Sequence, residues 1–215
     1  MNEADRRPIA LRTHPRAQAL ARWLARRGVT PNQVSLASVG FAAVGGVALA
    51  LTAGDRASVA LYLFAALTIE LRLLANMLDG LIAIEGGRQT ATGVLYNDVP
   101  DRFADALFFV GAGYGTGTDW SVALGWLAAL LSVITAYVRA LGASLGLASD
   151  FSGPMAKPQR MQALAAACVL AAIAAPFGWK VEVLLIALAL IAAGTGLTVT
   201  LRLRRAARAL NTRRP

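Results

Sequence analysis

Carboxylates and side-chain amides are concentrated between residues 76 and 105 of a chain that is otherwise strongly apolar. The members of this group are Asn76, Asp79, Asn97, Asp98, Asp101 and Asp105. A charged residue near the middle of a bilayer costs about 2.5–3.5 kcal/mol, so acidic residues in apolar segments mark functional sites by default. Oxygen ligands without histidine or cysteine favour Mg²⁺, Mn²⁺ or Ca²⁺ over zinc or copper. The group therefore predicts a site for a hard divalent cation.

The spacing of the polar residues predicts two polar helix faces. The first face has members four, three and four positions apart: Arg72, Asn76, Asp79 and Ala83. The second face has members three and four positions apart: Asp98, Asp101 and Asp105, with Asn97 one turn before Asp101. Residues at these intervals lie on one side of a helix. A turn containing the glycine pair at 86–87 joins the two helices, so both faces can converge on one site.

The elements that must position these faces are predicted to be membrane-spanning helices. Hydrophobic residues make up 57% of the chain and charged residues 15%, whereas soluble domains carry about 25% charged residues. A spanning helix needs about 20 apolar residues. Six segments qualify: 34–53, 59–83, 93–114, 120–145, 161–177 and 181–201. We therefore predict an all-α, polytopic membrane protein whose domain of six transmembrane helices covers residues 34–201.

Arginine is concentrated at the two ends of the chain. Seven arginines precede residue 34 and six follow residue 201, which accounts for much of the net charge of +9. With an even number of spans both ends lie on one side, and the positive-inside rule makes that side cytoplasmic. The polar residues between 76 and 105 then also lie on the cytoplasmic side of the cell membrane, which we take to be a bacterial inner membrane. This placement explains the positive charge without a nucleic-acid partner.

The regions that flank the spans are predicted to be cytoplasmic. Residues 1–33 contain an interfacial amphipathic helix at 15–27, with Leu20, Trp23 and Leu24 on one face and arginines largely on the other. Residues 202–215 form a basic tail. His14, the only histidine, lies in the basic N-terminal segment, and Cys168 is the only cysteine, so neither a zinc site nor a disulfide is predicted.

The sequence from residue 76 to residue 101 resembles the signature of the CDP-alcohol phosphotransferase family, D-x2-D-G-x2-A-R-x8-G-x3-D-x3-D. The matching positions are Asp79, Gly80, Ala83, Gly93 and Asp101. The chain departs at three positions: Asn76 replaces the first Asp, Ile84 the Arg and Asn97 the third Asp. Residues 29–35, VTPNQVS, resemble the T-P-N-x-V-[ST] motif of the family, and segments 137–140 and 157–160 show a weaker resemblance.

The resemblance implies roles for individual residues. Asp79 becomes a metal ligand and Asp101 a ligand and general base, while Asn76 and Asn97 are at most neutral amide ligands. Phosphate or nucleotide contacts fall on Arg72, Gly80, Ala83, Arg88 and Gly93, where Arg88 lies one turn after the position of the missing Arg. Positive charge for a donor or acceptor phosphate comes from Arg139, Lys157 and Arg160.

The resemblance also implies a reaction and its partners. A phosphatidyl group passes from a CDP-linked donor, most simply CDP-diacylglycerol, to a small alcohol, and CMP is released in phospholipid biosynthesis. One or two Mg²⁺ or Mn²⁺ ions assist. The protein is expected to lie in the lipid bilayer as a homodimer.

Several alternatives stay open at the level of sequence. The charge lost at the two Asn positions could be restored by Asp98 and Asp105 or by Glu85, or Arg72 could replace one cation. A shifted register would place Asp101 and Asp105 on the last two Asp positions of the signature. At the level of function, the donor could be a CDP-amino-alcohol acting on diacylglycerol, or the chain could bind a nucleotide or lipid without catalysis. A small transporter is a third class.

Overall fold

The computed structural model describes residues 14–53, 58–85 and 92–212, and these residues form helices and short connections with no strand. Within these ranges the α-helices are α1 (Pro15–Arg26), α2 (Pro31–Ala50), α3 (Ser58–Glu85), α4 (Gly93–Tyr114), α5 (Asp119–Ser144), α6 (Lys157–Ala174) and α7 (Lys180–Asn211). Short 3-10 turns extend α2 over Leu51–Ala53 and α6 over Ala175–Phe177.

The predicted all-α membrane fold is confirmed. By length and composition, five of the described helices could cross a membrane: Pro31–Ala53, Val59–Ile84, Asp119–Ser144, Lys157–Phe177 and Lys180–Asn211. The remaining predicted span, α4, is of similar length but carries the charged residues Asp98, Asp101, Arg102 and Asp105. It packs between α2 and α5, and its buried carboxylates, Asp101 and Asp105, face cations on α3 and α6. The chain is a membrane protein.

The predicted amphipathic helix is present as α1 and rests on the second half of α3. Pro15 occupies the first turn, where its missing N–H is not needed. Ala21 is fully buried in a cluster with Met77, Leu78, Leu81 and Ile82. The predicted apolar face is therefore divided. Leu24 packs against this cluster, whereas Leu20 and Trp23 are exposed and free to enter a membrane interface.

The VTPNQVS segment forms the start of α2. Thr30 accepts a hydrogen bond from the Gln33 backbone N–H at 3.3 Å, and the Gln33 side chain accepts one from the Thr30 N–H at 2.9 Å. This reciprocal capping box, with Pro31 at the first helical position, fixes the residue at which α2 begins. Ser35 is thereby placed on the first turn of α2, facing the bundle.

Glycines allow the helix backbones around α4 to approach one another closely. A Cβ on Gly111 would collide with the carbonyl oxygen of Gly46 in α2, and a Cβ on Gly46 would lie 2.6 Å from the carbonyl oxygen of Leu107. On the other side, a Cβ on Gly125 of α5 would lie 2.6 Å from the carbonyl oxygen of Phe109. Small residues at such crossings are how membrane helices pack without a hydrophobic drive. They hold α4, and its carboxylates, in one position.

The connection between α5 and α6 is held against α7. Gly153 has a positive φ of 145°, which residues with side chains rarely adopt, and a Cβ at this position would collide with Thr198. Both the backbone conformation and the lack of space therefore exclude a larger residue. The Thr198 hydroxyl accepts a hydrogen bond from the Met155 N–H at 3.0 Å. Arg202, which is buried, donates to the carbonyl oxygens of Ser152 at 3.0 Å and Thr135 at 2.9 Å. This clamp determines where α6 begins, at Lys157.

Asp150 secures the same connection from outside. Its carboxylate accepts hydrogen bonds from the Ser152 N–H at 2.9 Å and from Arg205 Nε at 2.8 Å. Partial burial would raise the pKa of Asp150, but these hydrogen bonds and the Arg205 charge outweigh it, and the pKa lies below its ordinary value. The carboxylate thus stays ionised, and the contact stays intact, throughout the neutral range.

The helix boundaries differ from the predicted spans mainly at the last helix. The predicted span ends at residue 201 and is followed by a predicted basic tail over 202–215, whereas α7 continues to Asn211. The added residues are mostly Arg, Ala and Leu, which are strong helix formers. The buried Arg202 also ties this part of α7 to the bundle. The charge pattern located the end of the membrane segment but not the end of the helix.

The glycine crossing gives a prediction about stability. Gly111→Ala should lower the free energy of unfolding by about 1–3 kcal/mol, because α2 and α4 must separate to admit the methyl group. Gly40→Ala is the matched control, since a Cβ at that helical glycine meets no atom within 4 Å. It should be neutral or slightly stabilising, because alanine favours helix by up to about 1 kcal/mol over glycine. Unfolding in mixed micelles measures both; equal loss in the two variants would refute the close α2–α4 crossing.

Candidate active site

A buried ion cluster joins α3, α4 and α6, and Asp105 of α4 lies at its centre. One oxygen of Asp105 accepts a hydrogen bond from Arg72 of α3 at 2.6 Å, and the other accepts one from Arg160 of α6 at 2.6 Å. The side chain of Asp105 is fully buried, as is that of Arg72. Arg160 also donates to the Thr135 hydroxyl at 3.2 Å, which adds α5 to the same contact. Both Asp105 oxygens are therefore already engaged by guanidinium groups.

Asp101, one helical turn before Asp105, is surrounded in the same way. Its Oδ1 accepts hydrogen bonds from Arg72 at 3.2 Å and from the Asn76 amide. Its Oδ2 pairs with Lys157 at the start of α6, and Arg102 approaches at 3.5 Å. The prediction that the polar faces of α3 and α4 meet is thus fulfilled by direct contact, and α6 contributes the cation that lies against them.

Asp79 differs from the other two buried carboxylates. Its Oδ2 accepts a hydrogen bond from the Ser35 hydroxyl at 2.7 Å. Its Oδ1 is buried and finds no hydrogen-bond partner within the described part of the chain. The residue is only 2% exposed. A buried carboxylate oxygen without a donor is costly in a folded protein unless a ligand supplies the missing partner.

Asp98 and Arg139 form a more exposed pair at the edge of the cluster. Arg139 of α5 donates to Asp98 at 2.5 Å and its guanidinium lies 5.1 Å from the centre of the Phe151 ring. Arg102 is 3.8 Å from the same carboxylate. Asp98 was predicted as a possible metal ligand, but the structure places it opposite Arg139, with its side chain 40% exposed.

The remaining predicted site residues lie around this cluster. Asn97 is partly exposed on α4, one turn before Asp101. Gly80 and Ala83 follow Asp79 on the last turns of α3, and Gly93 is the first residue of α4; all three are partly exposed. Arg88 lies outside the described residues, and so does the side chain of Glu85.

Sequence reasoning missed Ser35 as a partner of Asp79 and Arg102 as a cation near Asp101. Ser35 was quoted within the VTPNQVS segment, but nothing in the sequence connects it with a carboxylate on another helix. The pairing of Lys157 with Asp101 and of Arg160 with Asp105 was also not predicted. Their spacing of three residues at the start of a helix was a usable signal, because it puts both cations on one face of α6.

The cluster is balanced in charge by its own side chains. Three buried carboxylates, those of Asp79, Asp101 and Asp105, are matched in number by three buried cations, Arg72, Lys157 and Arg160, which pair with Asp101 and Asp105. Among the described residues no group of three His, Cys, Asp or Glu side chains is arranged to hold a metal ion. Among the described buried carboxylate oxygens, Oδ1 of Asp79 alone lacks a hydrogen-bond donor, and Asn76 lies one turn away on α3, so this is where a divalent cation would have to bind.

Comparison with known proteins agrees with the sequence signature, although no family model matches the chain. A phosphatidylinositol phosphate synthase from Mycolicibacterium smegmatis is 27% identical over 149 residues, which cover 67% of this chain and 64% of that protein. The crystal structure of phosphatidylinositol phosphate synthase from Mycobacterium tuberculosis, in complex with manganese and citrate, superposes with a TM-score of 0.74 at 22% identity over 88% of each chain. The chain is thus similar in sequence to phosphatidylinositol phosphate synthases and shares their fold.

A second relative is named only as a membrane protein. Inner membrane protein YnbA of Escherichia coli K12 is 25% identical over 138 residues, or 64% of this chain and 66% of that protein. The chain thus matches slightly less than two thirds of the length of each of these two relatives. The superposition establishes the phosphatidyltransferase fold for this chain, and with it the predicted family resemblance is confirmed.

The ion cluster gives a prediction that separates its buried and exposed members. Asp105→Asn should lower the free energy of unfolding by about 3–5 kcal/mol, because two buried guanidinium groups lose their counter-charge. Asp98→Asn, the same change on the same helix, should cost about 1 kcal/mol or less, because its pair is partly exposed to water. Unfolding of both variants in mixed micelles gives the comparison. Similar losses would show that Asp105 is not the buried centre of the cluster.

Proposed function

We propose that this chain is a phosphatidyltransferase that uses a CDP-linked lipid, with CDP-diacylglycerol as the donor, and a small alcohol as the acceptor. The observation that carries the proposal is the burial of two signature carboxylates, Asp101 paired with Lys157 and Arg72, and Asp79 with one oxygen that no described group contacts. The relatives named phosphatidylinositol phosphate synthase support the same class of reaction. The end of a helical bundle suits a donor whose acyl chains stay in the bilayer while its nucleotide reaches water.

The reaction consists of one displacement at phosphorus. The acceptor hydroxyl oxygen forms a new bond to the lipid-proximal phosphorus of the donor, and the bond from that phosphorus to the bridging oxygen breaks. CMP leaves with the electron pair of the broken bond. The hydroxyl proton goes to a carboxylate, for which Asp101 is our candidate because it lies at the last Asp position of the signature and is slightly exposed, at 5%. Asp105 is fully buried with both oxygens engaged and cannot easily reach a substrate.

The cations at the cluster divide into two roles. Lys157 and Arg139 have side chains that are 8% and 17% exposed and lie toward the edge of the cluster, where a phosphate can approach them. Arg160 and Arg72 are buried against Asp105 and hold α3, α4 and α6 in place. Arg88, Gly80, Ala83 and Gly93 remain proposed phosphate or nucleotide contacts. Positioned charge of this kind stabilises the diphosphate as negative charge shifts to CMP.

A divalent cation, Mg²⁺ or Mn²⁺, is part of the proposal. Asp79 would hold it, with the amide oxygens of Asn76 and Asn97 as neighbouring ligands, and Asp101 would join only where Lys157 gives way. When bound, the ion neutralises charge on the donor diphosphate. The related structure solved with manganese supports this assignment.

Placement in the membrane completes the proposal. We place both termini and the site on the cytoplasmic side of a bacterial inner membrane, following the arginine distribution. The Ser35, Asp79 and Lys157 contacts lie at one end of the bundle, which agrees with a single cytoplasmic site. We also propose a homodimer, which crosslinking in membranes would test.

A non-catalytic binding protein is the alternative that one observation favours. The amides of Asn76 and Asn97 replace two signature carboxylates, and a site with fewer ligands could bind a nucleotide without turning it over. A CDP-amino-alcohol donor acting on diacylglycerol is the alternative within the enzyme class. The binding protein would release no CMP from any substrate pair. The CDP-amino-alcohol enzyme would release CMP from a different substrate pair than the one we propose.

The assay is CMP release by purified protein in lipid nanodiscs, with CDP-diacylglycerol or a CDP-amino-alcohol as donor, a panel of alcohols, and Mg²⁺ or Mn²⁺. We expect release from CDP-diacylglycerol with at least one alcohol. Asp101→Asn should reduce the rate by about 100-fold or more, the scale of a lost general base. Asp119→Asn, an exposed carboxylate at the start of α5, is the control and should leave the rate unchanged.

Two outcomes would count against the proposal. Full activity in Asp101→Asn would remove Asp101 as the base and favour the shifted register through Asp105. Absence of CMP release with every donor and acceptor, from a protein that still binds CMP, would favour the binding protein.

A further inference from the structure

The three buried carboxylates of the ion cluster differ in how much binding capacity they have left. Asp105 is saturated by Arg72 and Arg160. Asp101 has Arg72 and Asn76 at one oxygen and Lys157 and Arg102 at the other. Only Asp79 retains a buried oxygen to which no group in the described ranges donates. Room for a metal ion therefore exists at one carboxylate and not at three.

The charge of the cluster leads to the same count. The three buried carboxylates are already matched in number by three buried cations, Arg72, Lys157 and Arg160, so the buried part of the cluster is neutral before any ion binds, and the partly exposed Arg102 adds a further positive charge beside Asp101. One divalent ion would make it doubly positive, which suits the negative diphosphate of a CDP-linked lipid. A second would add two more positive charges within a few ångströms of Lys157 and Arg72. Like charges at that distance in a poorly hydrated site repel by several kcal/mol.

The side-chain amide of Asn76 adds to the groups that surround Asp101. Asn76 stands at a signature Asp position, and its N–H donates to Asp101 where a carboxylate would repel it. An amide can bridge to Asp101 on one side while its oxygen remains for another ligand. Asn76, Arg72 and Lys157 thus surround Asp101 together. Their arrangement places positive charge of the protein where a second metal ion would otherwise be needed.

We propose that this site binds one divalent cation per chain, at Asp79, and that Lys157 and Arg72 serve as fixed positive charges in place of a second ion. The inference rests on the proposed function for the identity of the site, but it concerns how that site is charged. It assigns Lys157 a role in excluding metal from Asp101, in addition to any contact with substrate.

Metal stoichiometry tests this directly. Mn²⁺ is titrated into purified protein in nanodiscs with CMP present, and free Mn²⁺ is followed by electron paramagnetic resonance. The wild-type chain should bind one ion. Asp79→Asn should weaken that binding by about 10-fold or more, since it removes the only carboxylate oxygen left for a ligand.

A second comparison isolates the role of Lys157. Lys157→Gln combined with Asn76→Asp should bind two ions per chain, because Asp101 loses its cation and a carboxylate returns beside it. The chain has only one other lysine, and Lys180→Gln, at the opposite end of the bundle at the start of α7, is the matched control that should still bind one. Circular dichroism verifies that each variant is folded, and the wild type and Asp79→Asn decide the count if the double variant does not fold.

The outcomes are distinct from those that test the function. Two ions in the wild-type chain, or one ion undiminished in Asp79→Asn, would overturn the proposal even if the protein releases CMP. No bound Mn²⁺ in a protein that releases CMP would also overturn it. A single ion that depends on Asp79 in a protein without CMP release would uphold the metal site and contradict the transferase.

Discussion

The structure depends on keeping ionised carboxylates inside a bundle of apolar helices. Such groups are tolerated only when opposite charges and hydrogen bonds surround them. Asp105 meets this condition through Arg72 on α3 and Arg160 on α6, both at 2.6 Å. Because the three residues lie on three helices, the pairing also fixes those helices relative to one another. The position of Asp101, one turn away, follows from the same contacts.

Other parts of the fold bring the partners of these carboxylates into place. Glycines at the α2–α4 and α4–α5 crossings let α4 approach its neighbours closely. The capping box of α2 places Ser35 against Asp79. The clamp of Arg202 on the α5–α6 connection determines where α6 starts, and so where Lys157 meets Asp101. Stability and function therefore draw on the same contacts.

Much of the fold could be predicted from the sequence, because the bilayer sets the length of the apolar segments and the side of the membrane on which arginines lie. The shared face of Arg72, Asn76 and Asp79 was likewise predictable, since helix periodicity fixes it. The pairing of Lys157 with Asp101 was not, because it depends on the packing of α6, which no local pattern encodes. The contact of Ser35 with Asp79 was not predicted for the same reason. The end of α7 was misplaced because charge marks the membrane boundary and not the end of a helix.

In the proposed reaction, an acceptor hydroxyl attacks the donor at the phosphorus nearest the lipid. An acceptor alcohol labelled with ¹⁸O at its hydroxyl, incubated with CDP-diacylglycerol and the wild-type protein, tests this by mass spectrometry of both products. We expect all of the label to enter the phosphodiester of the lipid product and none to enter CMP. Label in CMP, or an unlabelled lipid product, would contradict it.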